Sequence, residues 1–284
     1  METLPKSEIK AITKLLKSND EETFKLLEEQ FKTFDTKTFE EINNEISPDD
    51  IELKRNFLEF AFKIKRAQLK NDFNKWSKNH SSDLEDGVFL VAAFANPLLD
   101  TEHYSKLLNS WANSISQNLK KVKLKDDPTS VINEINHFVF MELGFKGNKN
   151  NFYDPENSFI DKVMEKRLGN PILLSMIYLL ITKRIGLSFS GVNMPAHFLV
   201  QYRDAFEPII VDPFNQGEIV TKSVCQERIK ALKLIWQGDY LSCPTNKQII
   251  LRMMQNLINI YQNNEEFDLK EYLEDYVNII KRSL

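Results

Sequence analysis

Only Ser175 and Tyr178 interrupt the apolar run from Ile172 to Ile181, and they leave that run with almost no polar face. Asn170 is placed to cap a helix there, Pro171 suits its first turn, and Lys183, Arg184 and Gly186 supply a basic last turn and a stop. The spacing predicts a helix of about four turns. A helix apolar all round must be covered on every side, so the chain has to build layers around it.

The next stretch supplies one layer. His197–Arg203 and Glu207–Phe214 are rich in β-branched and aromatic residues, with polar residues between them, and they read as antiparallel strands joined by a hairpin. With the turn centred between Asp204 and Ala205, His197 falls opposite Asp212, Cβ atoms about 5 Å apart, within reach of an imidazole–carboxylate hydrogen bond. A slip of one residue would send one partner to the other face. Pro208 cannot donate to a ladder, so the second strand is expected to be an edge or bulged there.

The amino-terminal end of the central helix would lower a thiol's pKa and so suit a nucleophilic cysteine; the chain has none there. Gly169-Asn170-Pro171, the helix, Gly186, a strand opening on His197 and a strand closing on Asp212-Pro213 resemble the transglutaminase-like, papain-like α+β core. More closely, GFKGN, FYDPENSF, GVNMPAHFL and VDPF resemble the bacterial Sir B family of transglutaminase-like proteins, over roughly residues 135 to 220. The resemblance implies a cysteine-lacking site, with the cysteine position near Pro171, and a tetratricopeptide-like carboxy-terminal region. This sequence departs from that family in carrying Ala196 where glycine is usual before the histidine, and Asn170 where an apolar residue is usual. The loop bordering the pocket in that family makes Tyr153, Asp154 and Asn157 candidate lining residues here, beside Asn170 and Pro171.

Length and composition fit this fold class, α+β and mostly helical. A chain of 284 residues can bury one large or two ordinary cores, and only 8 glycines argue against many-stranded β architecture. A net charge of −4 and a pI near 5.7 offer no global attraction for nucleic acid or anionic lipid. The expected partner is a protein or peptide. The first residues lack a signal-peptide core and no run is long enough to span a bilayer, giving a soluble, cytoplasmic reading without a membrane role. Cys225 and Cys243 are far from a C-x-x-C or histidine cluster, so neither metal nor cofactor is expected.

Along the chain, residues 1–125 read as a helical region: short helices to residue 46, with breaks at Asn19-Asp20 and Asp35-Thr36, then helices over 49–78, 84–94 and 104–119. Lys120 to Lys125 is a basic run that reads as a solvated connector. Residues 126–244 form the transglutaminase-like core, beginning with a helix over 131–143 whose His137 is expected in the core, and including a near-capping box of Ser158 and Asp161. Residues 245–284 form a tetratricopeptide-like hairpin, which cannot bury its own face unaided. Nothing in the sequence sets an oligomeric state.

Two members of a thiol-enzyme triad, His197 and Asp212, are present without their nucleophile. The favoured reading is a non-catalytic, pseudoenzyme-like module that binds protein or peptide. The alternative is a hydrolase or acyl transferase with a displaced nucleophile: Ser175, or else Cys225 or Cys243. A third reading is a helical scaffold acting through its termini.

Overall fold

The computed structural model describes residues 4–17, 21–120 and 127–284. Three helices, α1 (Lys6–Leu16), α2 (Glu21–Phe31) and α3 (Thr36–Glu45), pack on the first half of α4 (Ile51–Lys78). Asp35 and Asp50 begin α3 and α4 by accepting from Thr38 N and Leu53 N, satisfying amides that a helix start leaves unpaired. Phe31, Ile42 and Phe57 are fully buried in this cluster, with Phe60 edge-on to Phe31 at 4.8 Å between ring centres. The second half of α4, from Leu69, enters a separate and larger core.

That core is built by α5 (Leu84–Ala93), α6 (Thr101–Leu119) and α7 (Pro128–Asn136), each capped by an aspartate at its amino end, Asp83, Asp100 and Asp127. The break at Asn19-Asp20 and most of the basic run, residues 121–125, lie outside the described residues. The helix expected over 131–143 changes character at His137: Leu143 N donates to Phe138 O, five residues back, so residues 137–142 form wider π-type turns. His137 lies off the buried face formed by Val131, Ile135 and Phe138. Its side chain is 61% exposed and faces Glu142 at 3.5 Å, which overturns the buried-histidine expectation.

A short parallel pair, β1 (Lys146–Gly147) with β2 (Leu168–Gly169), precedes α9 (Pro171–Arg184). The capping box expected from Ser158 and Asp161 is not formed. Phe159 occupies the cap of α8 (Ile160–Lys166), Ser158 Oγ accepts from Asn170 Nδ2, and the buried Asp161 accepts from Asn96 Nδ2. The α9 helix begins where expected, with Asn170 accepting from Leu173 N, and ends before Gly186, whose φ of +75 suits glycine. Every residue from Pro171 to Thr182 is buried.

One cover for α9 is a four-stranded antiparallel sheet, in the order β3 (Phe189–Val192), β4 (Leu199–Tyr202), β5 (Ile209–Asp212), β6 (Glu218–Val220). Val200, Tyr202 and Val211 join the α9 side, whereas Val192, Leu199, Ile210 and Val220 pack with Cys225 and Ile229 of α10 (Lys222–Ala231). A sheet buried on both faces explains strands without polar alternation. Two expectations change here. The hairpin register pairs Val200 with Val211 and Tyr202 with Ile209, so the turn is centred one residue later, between Ala205 and Phe206. The second strand is central rather than an edge, because β6 pairs on its far side. Pro208 lies just before it, where it costs no ladder bond.

The chain closes with α11 (Asn246–Asn263) and α12 (Phe267–Lys281). Thr245 and Gln248 form a capping box at the start of α11. Met253, Met254, Leu257, Tyr276 and Ile280 are buried in the same core as α9, and Tyr276 donates to Arg66 O on α4. The hairpin is thereby part of the central core. Among the described residues, no helix is long and apolar enough to cross a membrane.

Candidate functional site

The site begins with a bend. Ala196 takes a φ of +56, a conformation easiest for glycine, and His197 N closes a turn onto Met194 O. This bend delivers His197 to the end of β5. His197 Nε2 lies 2.9 Å from Asp212 Oδ1. Asp212 is fully buried and also accepts from Asn215 N, Asn215 Nδ2 at 2.8 Å and Arg228 Nη1 at 2.6 Å. Burial alone would raise its carboxyl pKa, but the His197 bond and charge, with Asn215 and Arg228, outweigh that and hold it at about 2. The carboxylate therefore stays ionised and fixes one ring nitrogen of His197. Nδ1, the other, has no hydrogen-bond partner among the described residues, and Phe214 stands edge-on to the ring at 6.0 Å.

A cavity of about 210 Å³ opens beside the imidazole. Its walls are the start of α9 (Asn170, Pro171, Ile172), the bend at Ala196–Phe198, the aromatic pair Phe152 and Tyr153, and the α11 side chains Arg252, Asn256, Asn259, Ile260 and Asn263. Arg252 donates to His197 O at 2.7 Å and to Asn193 Oδ1, so one guanidinium ties α11 to the bend. Burial pulls its pKa down to about 10.

Of the residues singled out from sequence, His197, Asn170, Pro171 and Tyr153 meet at this cavity, with Asp212 behind the imidazole. Asp154 caps the short turn that follows it by accepting from Glu156 N, and Asn157 is buried, donating to Asn151 O and Phe152 O. Both order the loop carrying Tyr153. Ser175 has no exposed surface, and its hydroxyl faces two carbonyl oxygens, Pro171 O at 2.8 Å and Phe198 O at 3.3 Å. Cys225 is sealed beneath the sheet, where burial pushes its thiol pKa upward, and Cys243 is exposed beside Gln201 and Ser190. Neither thiol lines the cavity. Among the described residues, no three His, Cys, Asp or Glu side chains are grouped to hold a metal ion.

Sequence reasoning missed Asn215, Arg228 and the α11 row. Asn215 had a local signal, since an aspartate followed three residues later by asparagine across Pro213-Phe214 is turn chemistry. Arg252, Asn256, Asn259 and Asn263 recur at helical spacing, which marks one face but not what it meets. Arg228 gave no signal, because its partner is set by how α10 crosses the sheet.

A family model described as the transglutaminase-like superfamily matches residues 102–255. A UPF0162 protein of Xylella fastidiosa (strain 9a5c) is 30% identical over 192 residues, covering 64% of this chain and 66% of that protein. This chain thus spans just under two thirds of that relative. F-box only protein 21 of Mus musculus is 28% identical over 145 residues, 46% of this chain but 22% of its own. A UPF0162 protein of Vibrio cholerae is 35% identical over 88 residues, 31% of this chain and 32% of its own. No solved structure matches.

Proposed function

The chain belongs to the transglutaminase-like superfamily, and from that membership we propose a non-catalytic member that binds a protein or peptide at the His197 cavity and acts through that partner. One observation carries the reading. The imidazole–carboxylate pair is intact at 2.9 Å, yet Pro171 occupies the helix start beside it and no thiol lines the cavity. Acyl transfer through a covalent intermediate needs an activated nucleophile there. Ser175 does not supply one in this geometry, its hydroxyl being buried against carbonyls.

The F-box name of one relative supports a role in protein interaction. The finer reading, a Sir B-type member with α11 and α12 as one tetratricopeptide-like unit, is supported by the GFKGN and VDPF segments at residues 144–148 and 211–214 and by the helical hairpin.

The test is capture of partners from native lysate with wild type and His197→Ala in parallel, recording the intact mass of each captured protein. Partners retained with unchanged masses are expected. A partner whose mass changes only in the presence of His197 would overturn the reading in favour of an enzyme.

A further inference from the structure

Among the described residues, no aspartate or glutamate lines the His197 cavity, although the chain carries a net charge of −4. Its one formal charge is Arg252, which pairs with no carboxylate among the described residues; its two acceptors are the neutral His197 O and Asn193 Oδ1. Buried or half-buried charges are ordinarily paired. Two other half-buried arginines without carboxylate partners lie over several aromatic rings each: Arg66 over Phe62, Phe94 and Tyr272, and Arg167 over Trp111 and Phe145. Arg252 has the single ring of Phe198 at 5.5 Å. Its five N–H donors exceed its two acceptors, and the surplus belongs to a cation on a cavity wall.

At about 210 Å³ the cavity is smaller than the roughly 300–1,000 Å³ of ordinary small-molecule sites. It suits one end or one side chain of a longer ligand. The path for the rest is α11. Asn256, Asn259 and Asn263 follow Arg252 on the same wall, and each carboxamide offers both donors and acceptors, the complement of a peptide group. Asn256 to Asn263 rises about 10.5 Å along the helix, close to the ~10 Å spanned by three residues of extended peptide. The side chains of Asn256 and Asn263 have no hydrogen-bond partner among the described residues.

We propose that this cavity binds a peptide carboxylate beside Arg252 and His197, with the peptide laid in extended form along Asn256, Asn259 and Asn263. The proposal rests on the binding-module reading and adds the ligand's chemistry to it. The carboxylate is either a chain terminus or an acidic side chain.

The test is affinity selection by the full chain from an equimolar mixture of degenerate hexapeptides made as free acids and as carboxy-terminal amides, the bound peptides being read by mass. The expected result is enrichment of carboxylate-bearing peptides by about tenfold or more, equivalent to about 1.4 kcal/mol. Enrichment of free acids of any sequence assigns the carboxylate to a terminus; enrichment of amides containing Asp or Glu assigns it to a side chain. Arg252→Gln is expected to abolish the preference, and because Arg252 also braces the bend, Asn256→Leu serves as a second variant, weakening selection with unchanged thermal melting. Equal recovery of acids and of amides without acidic residues overturns the carboxylate proposal and leaves the binding module standing. Recovery of no peptide, while partners are still captured from lysate, also overturns the proposal alone. Loss of both sinks the underlying reading.

Discussion

His197 and Asp212 are joined at 2.9 Å without being cross-strand partners: the register that pairs Val200 with Val211 sets Leu199, two residues later in the chain, level with Asp212. The imidazole reaches the carboxylate from the bend before β4, so the pair pins that bend to the end of β5. Holding the bend is a structural task that persists whatever the site binds.

The low pKa of Asp212 makes this corner acid-sensitive. A carboxyl whose pKa falls on folding, here from 3.8 to about 2, stabilises the fold above pH 4 and loses that contribution as pH falls through about 2. The shift corresponds to about 2 kcal/mol. Urea unfolding of wild type and Asp212→Asn should therefore show a stability gap that is constant from pH 7 to 5 and narrows between pH 4 and 2. A gap independent of pH would refute the assignment.

Pro171→Cys should place a thiol at the start of α9, beside the free ring nitrogen of His197. A helix start and a neighbouring imidazolium both favour thiolate. In a Cys243→Ser background, the new thiol is expected to react with iodoacetamide at pH 6 several-fold faster than the same variant carrying His197→Ala. Equal rates in the two would show that the imidazole does not serve the helix start.

The two basic residues ending α9 should differ in worth. Arg184 Nη2 meets Glu85 at 2.7 Å with both side chains mostly buried and also donates to Ser105 Oγ, while Arg184 Nε donates to Asn109 Oδ1. Lys183 meets Asp83 at 2.6 Å with 60% and 36% of the side chains exposed. Arg184→Ala is expected to lower unfolding free energy by about 3 kcal/mol, since it leaves a mostly buried carboxylate with its charge unpaired and only Ser105 Oγ donating to it, and Lys183→Ala by less than about 1 kcal/mol. Denaturant midpoints measure both.

Removing residues 245–284 should unfold the site rather than merely detach a docking element. Met253, Met254, Leu257, Tyr276 and Ile280 lie within the core that holds α9, and deleting them uncovers the apolar side chains of α4 and α5 that they cover, surface that a native fold buries. The truncated chain is expected to bind an apolar dye such as ANS and to lose its near-ultraviolet circular dichroism. A truncated protein with native near-ultraviolet signal would show instead that the core is complete without the hairpin.

Much of the fold was legible because it rests on local rules. Asn170, Pro171 and Gly186 bounded α9 through capping and stop chemistry, and its lack of a polar face implied the cover it has on every side. The His197–Asp212 contact was read from an approximate register. The true register differs by two in the sum of paired positions, which keeps the same face toward the same neighbour; an odd error would have separated the pair. What stayed hidden depends on distant chain. β3 and β6 are too short to show a pattern, Arg228 reaches Asp212 only because of how α10 lies, and π-type turns at His137 answer to packing that periodicity does not record.

The 28-residue α4 is about 42 Å long, and its two halves serve different clusters of side chains, the amino-terminal one around Phe31 and Phe57 and the central one around α9. A shared rod of this kind lets the ends lose cooperativity with one another. Warming or a protease can then strip the amino-terminal bundle as a separate melting unit, leaving the walls of the cavity in place while the rest of α4 frays back toward Leu69.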